Sequence, residues 1–144
     1  MTRKDDSEYI EMAITQAKKG NTPFGAVLVN TNGEFVEAYN TAKNDGPTAH
    51  AEINAIRKID QLKFEKAQDL TLYSTVEPCP MCMTAIIWAG IGTVVYGATI
   101  EDAAEFGNQI DIKAKDIAKK SWYQLEVKEG VSRNKCTKLF THEN

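Results

Sequence analysis

The sequence predicts an α/β protein, a three-layer α/β/α sandwich built on a central mixed five-stranded sheet. Segments with the apolar period of a strand and segments with the period of a helix alternate through the middle of the chain, which is typical of parallel pairing through right-handed crossovers. A hairpin pattern precedes them. A length of 144 residues suits one core, so we expect a single domain over residues 1–144.

The first predicted elements are a helix and the hairpin. Residues 5–19 have an apolar stripe at helical spacing, acidic and hydroxyl N-cap candidates at its start, and Gly20 after it. Residues 24–30 and 34–39 have the apolar character of strands. The turn residues Thr-Asn-Gly between these two strands predict a hairpin.

The later elements alternate between helix and strand. The strand "TVVYGA" has an apolar centre, which predicts burial on both faces. Both central helices would begin beyond the carboxyl ends of strands, where open α/β sheets place their sites. In chain order we predict a helix over 50–59, a strand over 70–76, a helix over 80–90, a strand over 93–98, a helix near 109–119, a strand over 122–127 and a short C-terminal helix.

The composition argues against several classes of protein. The net charge is −3, so no overall basic field attracts a polynucleotide, and we do not expect a nucleic-acid partner. The N-terminus has no apolar signal-peptide core, and the most apolar stretch, 85–91, is too short to cross a membrane. We therefore expect a cytoplasmic protein without a membrane partner. Three cysteines in such a compartment argue against a disulfide framework.

The segment "EPCPMC" places two cysteines across a predicted helix start. Cys79 and Cys82 are three residues apart, so both sulfurs can face one point. A helix N-terminus lowers the pKa of a thiol, and the thiolate is the form that binds zinc. Pro80 suits the first helical turn, because its missing N–H has no role there. These features predict two zinc ligands, although a CxxC motif alone is more often a redox or structural metal site.

The segment "PTAHAEINAIRK" places an imidazole and a carboxylate two residues apart. On a regular helix these side chains would point about 200° apart. If His50 precedes the regular helix, helical rotation does not set its direction, and Pro47 favours such a late start. His50 can then reach a metal held by Cys79 and Cys82, while Glu52 faces the same point without binding the metal.

The number of candidate ligands distinguishes two kinds of zinc site. A structural zinc needs four protein ligands, and the remaining candidates are His142, near the end of the chain, and Cys136. Three ligands would leave the fourth position for water, as in a catalytic zinc. Glu52 would then carry a proton from that water to a leaving group. The order H-x-E followed by P-C-x-x-C is the pattern of zinc nucleobase deaminases, which favours the catalytic interpretation.

With these motifs the chain resembles the cytidine deaminase-like superfamily. The segments "TPFGAVLV", "NDGPTAHAEINAIR", "EPCPMC" and "VVYGATIEDAAEFG" carry the resemblance and span about residues 22–107. Within the superfamily, "PFGAV", "AIIWAGI" and "DAAEFG" are most similar to bacterial guanine deaminases. The tRNA adenosine deaminases share "PTAHAEI" and "EPC", but they usually have a histidine-serine-arginine run where this chain has "WAG".

The resemblance implies one zinc per chain, a homodimer and a set of substrate contacts. It implies zinc ligation by His50, Cys79 and Cys82, and proton transfer by Glu52. The substrate contacts that it implies have structural alternatives: Phe24 and Trp88 could instead belong to the core, and Asn40 could instead be a turn residue. The implied contacts are Asn40 hydrogen-bonding the base, Phe24 packing near it, the backbone N–H of Ala51 holding a ring carbonyl, Trp88 helping to wall the pocket, and Cys136, Leu139 and Phe140 packing in the dimer.

Three segments depart from the family pattern. "NDGPT" has a glycine that the family usually lacks, which would change the loop between Asn40 and His50. "EFGNQID" stands where guanine deaminases usually have Gly-Phe-Asp-Asp, and Asp111 is the candidate for the acidic substrate contact, although out of register. The C-terminus lacks the aromatic ending of the family.

The leading hypothesis is hydrolytic deamination of a free nucleobase, guanine to xanthine and ammonia, with a small molecule as the partner. The first alternatives are a tRNA adenosine deaminase and a deaminase of cytosine or of a nucleoside such as guanosine. A non-catalytic zinc-binding module is the hypothesis from another class. Glu52 argues against it, because such a module would not need a carboxylate beside its metal.

Overall fold

The computed structural model describes residues 2–141 and has five strands in one mixed sheet. Its elements are α1 (Asp6–Gly20), β1 (Gly25–Val29), β2 (Phe35–Tyr39), α2 (Ala42–Asp45), α3 (Ala51–Ile56), β3 (Thr71–Val76), α4 (Pro80–Ala89), β4 (Thr93–Ala98), α5 (Ile100–Ala104), α6 (Ala114–Ala118), β5 (Glu126–Lys128) and α7 (Arg133–Thr141). The strands lie in the order β2-β1-β3-β4-β5. The predicted mixed five-stranded sheet is confirmed.

The strand directions bring several chain segments to one end of the sheet. β1 runs antiparallel to both of its neighbours, β2 and β3. β3, β4 and β5 run parallel to one another. Four strands therefore end where β1 begins, and we call this the carboxyl end of the sheet. The residues after β2, β3 and β4 and the residue before β1 meet there.

Helices cover both faces of the sheet, which confirms the predicted three layers. On one face, α3, α4 and α6 pack over Leu28, Leu72 and Tyr96. On the other face, α1 and α7 pack over Val27 and Tyr73. Consecutive residues of one strand reach opposite layers because side chains alternate along a strand. All residues of β1 and β3 are buried, as befits strands near the middle of the sheet.

Several predicted bounds differ from the structure. α3 ends at Ile56 instead of residue 59, and the chain continues into a 3-10 turn over Ile59–Gln61. α6 begins at Ala114 rather than near 109, and β5 covers only Glu126–Lys128. The sequence reasoning missed α2 and α5. α5 had a local signal, because Thr99 and Asp102 form a capping box at its start.

The loop between β2 and α3 contains the additional glycine. α2 ends at Gly46, whose φ of 105° is a conformation that residues with a side chain rarely adopt. The Ala49 N–H donates to the Gly46 carbonyl at 3.0 Å, and the Thr41 N–H donates to the Ala49 carbonyl at 2.9 Å. The loop is therefore compact, and it returns the chain to the start of α3.

The third cysteine is part of the fold. Cys136 on α7 is buried and packs against β4 at Gly97. A Cβ at Gly97 would lie 2.3 Å from the Cys136 sulfur, so only glycine permits this approach. Within residues 2–141, no helix is both long enough and apolar enough to cross a membrane.

Candidate active site

The histidine and the first cysteine lie at the starts of two helices at the carboxyl end of the sheet. His50 is the N-cap of α3, with extended backbone at φ −70° and ψ 159°. Cys79 is the N-cap of α4, with φ −66° and ψ 168°, and Pro80 opens that helix. His50 thus precedes the regular helix, as the sequence predicts, so its side chain and that of Glu52 are not held at a helical spacing.

Three of the predicted site residues form one group. The ligand atoms of His50, Cys79 and Cys82 all lie within 4.8 Å of one another. The Nδ1 atom of His50 is 3.6 Å from the Cys79 sulfur and 3.5 Å from the Cys82 sulfur. A tetrahedral zinc, with bonds of about 2.3 Å to sulfur and about 2.0–2.1 Å to nitrogen, sets such atoms about 3.5 Å apart. The donor types and their separations therefore fit zinc.

The two other candidate ligands do not join this group. Cys136 belongs to α7 and is buried on the opposite face of the sheet from α3 and α4. His142 lies outside the described residues. The set within residues 2–141 is thus one imidazole and two thiols, which is the number of protein ligands typical of a catalytic zinc.

The pKa values of the two thiols are shifted in opposite directions. The hydrogen bond from Cys82, helped by the contact with His50 and opposed by burial, lowers the pKa of Cys79 to about 4. The same hydrogen bond, together with burial, raises the pKa of Cys82. The hydrogen bond with Cys79 raises the pKa of His50. At neutral pH Cys79 is therefore a thiolate, the form that binds zinc.

Glu52 is the buried carboxylate of the site. It is only 5% exposed, and its Oε2 accepts a hydrogen bond from the Ser74 hydroxyl at 3.3 Å. Burial raises the pKa of the Glu52 carboxyl to about 7, because loss of water disfavours the charged form. A carboxyl with such a pKa can both accept and release a proton near neutral pH. Glu52 and the three possible metal ligands together could support acid–base chemistry on a metal-activated water.

A cavity of about 310 Å³ opens beside this group. This volume is at the lower end of small-molecule sites, which commonly span about 300–1,000 Å³. Its walls come from the segments that the strand directions bring together. The lining residues are Phe24, Asn40, His50, Glu52, Val76, Glu77, Cys79, Asn108, Gln109 and Ile110.

Asn40 and Phe24, two of the predicted substrate contacts, line the cavity. The side-chain oxygen of Asn40 accepts the Ala42 N–H at 2.9 Å, so Asn40 forms the turn that was its alternative role. Within residues 2–141, its amide N–H₂ group makes no hydrogen bond. The Asn40 N–H also donates to the Phe24 carbonyl at 3.3 Å, which ties the two walls together. Phe24 packs edge-on against Phe140 of α7, with ring centroids 5.8 Å apart.

Ala51 lies between two cavity residues without lining the cavity itself. It is the first residue of α3 and is fully buried. Its N–H is one of the first-turn groups for which a helix supplies no carbonyl partner. The predicted contact through this N–H stays a prediction.

Trp88 and Asp111 are not among the residues that line the cavity. Trp88 is 78% exposed and packs against Trp122, with ring centroids 5.1 Å apart. It lies near the end of α4, whereas the cysteines lie at its start, and six residues of helix separate Cys82 from Trp88 by about 9 Å along the axis. The expectation that Trp88 walls the pocket is therefore corrected for this chain. Asp111 is exposed, and its neighbours Asn108, Gln109 and Ile110 occupy the wall instead.

Sequence reasoning missed five wall residues, one of which is Val76 at the end of β3. Three belong to the irregular segment between α5 and α6, where no periodic pattern marks which side chains face inwards. The fifth, Glu77, stands in the "EPC" segment before the cysteines. A carboxylate next to two candidate ligands was a signal that could have identified it.

A buried carboxylate beside an imidazole and two thiols is the arrangement typical of zinc-dependent deaminases. The family model described as "Cytidine and deoxycytidylate deaminase zinc-binding region" matches residues 3–98. The chain belongs to this family, and the membership supports a hydrolytic enzyme.

Known proteins of two activities are similar to the chain. The guanine deaminase of Bacillus subtilis (strain 168) is 37% identical over 94% of this chain and 95% of its own length. The tRNA-specific adenosine deaminase of Buchnera aphidicola subsp. Schizaphis graminum (strain Sg) is 32% identical over 99% of this chain and 95% of its own. A solved guanine deaminase from Nitrosomonas europaea shares the fold, with a TM-score of 0.76 at 19% identity over 98% of this chain and 85% of that one.

Proposed function

We propose that this protein is a zinc-dependent deaminase of a free nucleobase and that guanine, which it converts to xanthine and ammonia, is its substrate. The observation that carries the proposal is the 310 Å³ cavity in which buried Glu52 lies beside the group of His50, Cys79 and Cys82. A single base fits a cavity of this class. Nothing in a simple zinc-binding module would require a buried carboxylate at that place.

The proposed roles follow from the chemistry of each side chain. His50, Cys79 and Cys82 hold one zinc per chain, which when bound supplies the Lewis acid that activates water for attack. Glu52 takes a proton from the attacking water and delivers it to the ring nitrogen of the base. The exocyclic amino group then leaves as ammonia, so that one water and one guanine give one xanthine and one ammonia.

Recognition of the base is assigned to Asn40, Phe24 and the backbone N–H of Ala51. The Asn40 amide N–H₂ group donates to an acceptor on the base, because its oxygen is held by Ala42. Phe24 packs against the ring. The N–H of Ala51 holds a ring carbonyl, which suits the first turn of a helix.

Two observations favour guanine over a tRNA adenosine. A polynucleotide substrate needs phosphate contacts, and this chain has a net charge of −3. Both relatives are matched nearly end to end, and the guanine deaminase is 37% identical to this chain, whereas the tRNA-specific relative is 32% identical. Trp88, which the resemblance implied would help to wall the pocket, favours neither substrate, since it is exposed.

A panel of substrates tests the proposal. Ammonia release is measured with purified zinc-loaded protein on guanine, adenine, cytosine and guanosine, and inosine formation is measured on a tRNA anticodon stem-loop. We expect the fastest release from guanine and no inosine. Ammonia from any other compound without ammonia from guanine would contradict the substrate assignment, and inosine in the stem-loop would support the tRNA alternative.

The homodimer remains part of the proposal. The exposed pair Trp88 and Trp122 is an apolar surface that association could cover. Light scattering during size-exclusion chromatography measures the mass in solution. A mass of twice the 16.0 kDa chain is expected, and a mass of one chain would contradict the dimer.

A further inference from the structure

Glu77 joins two helices that the chain separates. Its Oε1 accepts the N–H of Ile100, the first residue of α5, at 2.9 Å. Its Oε2 accepts the N–H of Ala114, the first residue of α6, at 2.7 Å. Glu77 is 5% exposed and lines the cavity directly before the segment that holds Cys79. A buried carboxylate is stable only when its charge is compensated, and here two backbone N–H groups accomplish this.

The two helices enclose the segment that forms one wall of the cavity. We call residues 105–113 the wall segment; it connects α5 to α6. Its residues Asn108, Gln109 and Ile110 line the cavity. Within residues 2–141, no side chain of 107–112 makes a hydrogen bond, and Ile110 is 58% exposed. Phe106 near its start stacks on Phe140 of α7, and beyond that contact the position of the wall segment depends on the helices at its two ends.

We propose that Glu77 is a positioning residue, which holds the wall segment against the bound base by fixing the starts of both flanking helices. The proposal rests on the proposed function, because it assigns the wall segment to substrate recognition. Glu77 takes no part in proton transfer in this scheme, since both of its oxygens are occupied by backbone N–H groups. Its effect reaches the substrate through Asn108 and Gln109.

The first test is amide hydrogen exchange, which needs no activity. Glu77→Gln retains the size of the side chain, but it replaces one of the two accepting oxygens by an NH₂ donor, which would then face a backbone N–H group. We expect exchange at the Ile100 or Ala114 amide, and through the wall segment, to become at least about 10-fold faster, because a hydrogen bond to a charged group is lost. Unchanged exchange at both amides would overturn the proposal.

The second test separates binding from chemistry. With guanine, or with whichever compound of the panel gives ammonia, Glu77→Gln should raise KM about 10-fold and change kcat less than about 3-fold, since binding to an unfixed wall is weakened. Zinc content should remain that of the unaltered protein. Loss of zinc, or a fall in kcat with KM unchanged, would show instead that Glu77 acts on the metal site.

Glu101→Gln is the matched control. Glu101 and Lys113 form an ion pair of 3.1 Å that spans the same two helix starts, but both side chains are more than half exposed. The same substitution therefore removes one negative charge from a solvent-exposed ion pair, and exposed ion pairs contribute little to stability. We expect KM within about 2-fold of the unaltered protein. An effect equal to that of Glu77→Gln would contradict a specific role for the buried carboxylate.

A double-mutant cycle keeps the proposal testable if Glu77→Gln is less stable. Asn108→Ala with Gln109→Ala removes the contacts through which Glu77 is proposed to act. In that background Glu77→Gln should raise KM less than about 2-fold, because coupled residues are not additive. Equal effects of Glu77→Gln in both backgrounds would overturn the proposal. Failure of the proposed function would appear separately, as absence of ammonia release by the unaltered protein.

Discussion

The two sides of the cavity are built from different parts of the fold. The reaction side consists of His50, Glu52, Cys79 and Cys82, and the recognition side consists of Asn40, Phe24 and the wall segment. On the reaction side the side chains project from helix starts packed on the sheet, and Cys82 and Glu52 are buried. On the recognition side they project from a turn and from an irregular segment with exposed residues.

This difference separates the reaction from the choice of base. Helix starts that are fixed by packing hold a metal group and a carboxylate at constant separation, so the chemistry can stay the same. Turns and loops can change in sequence without disturbing the core, so the base can differ. Relatives with guanine and tRNA adenosine activities are both similar to this chain, as expected for one reaction with exchangeable recognition.

The largest effect is expected from removal of a metal ligand on the reaction side. Cys82→Ala should lose zinc and with it all measurable ammonia release, because the group then has only two ligands. Metal analysis and the ammonia assay measure both. Cys136→Ala is the control, since it also removes a buried thiol but one outside the group, and it should retain zinc. Full zinc content in Cys82→Ala would contradict the proposed ligand set.

The next largest effect is expected from replacement of Glu52, the proposed proton carrier. Glu52→Gln should keep zinc and the fold while turnover falls about 10²–10⁴-fold, because the amide cannot carry the proton. Zinc content, the unfolding midpoint and kcat are measured on the same sample. A kcat within a few-fold of the unaltered protein would assign the proton transfer to another group.

A smaller effect, confined to KM, is expected on the recognition side. Asn40→Asp keeps an oxygen for the Ala42 N–H but removes the N–H₂ donor. KM for guanine should rise about 10-fold or more, because a buried acceptor on the base would lose its partner. Asn134→Asp, at an exposed position of α7, is the control for charge. If kcat falls and KM does not, the division between the two sides is wrong.

The smallest effect is expected from removal of the ion pair between Asp102 of α5 and Arg133 of α7. Arg133 donates two hydrogen bonds of 2.8 Å to Asp102 and lowers the pKa of that carboxyl to about 2. Since the folded-state pKa is below the ordinary value, the stabilisation is complete above about pH 4 and disappears as the pH falls through 2. Asp102→Asn should therefore lower the free energy of unfolding by about 1–2 kcal/mol at pH 7, after allowance for the half-exposed Arg133.

Urea denaturation at pH 7 and at pH 2 measures this difference. The variant and the unaltered protein should converge at the lower pH, and kcat at neutral pH should not change. A difference in stability that persists at pH 2 would show that the ion pair is not its cause.

Sequence alone was sufficient where local rules determine geometry. Pro80 and the i, i+3 spacing of the cysteines predicted the start of α4, and Pro47 predicted the late start of α3. The sequence was insufficient where contacts between residues far apart in the chain determine where an element begins or which side chains are exposed. α6 begins at Ala114 because its N–H is bound by Glu77, a residue 37 positions away. α4 is apolar on nearly every side, so its pattern could not show that Trp88 is exposed and lies outside the cavity wall.

Removal and return of zinc tests the central claim most directly. The protein is freed of metal with a chelator, and zinc is then added in steps while ammonia release from guanine and bound zinc are measured together. We expect no release without zinc, a rate that rises in proportion to bound zinc, and a maximum at one zinc per chain. Ammonia release at the full rate by metal-free protein would contradict the account.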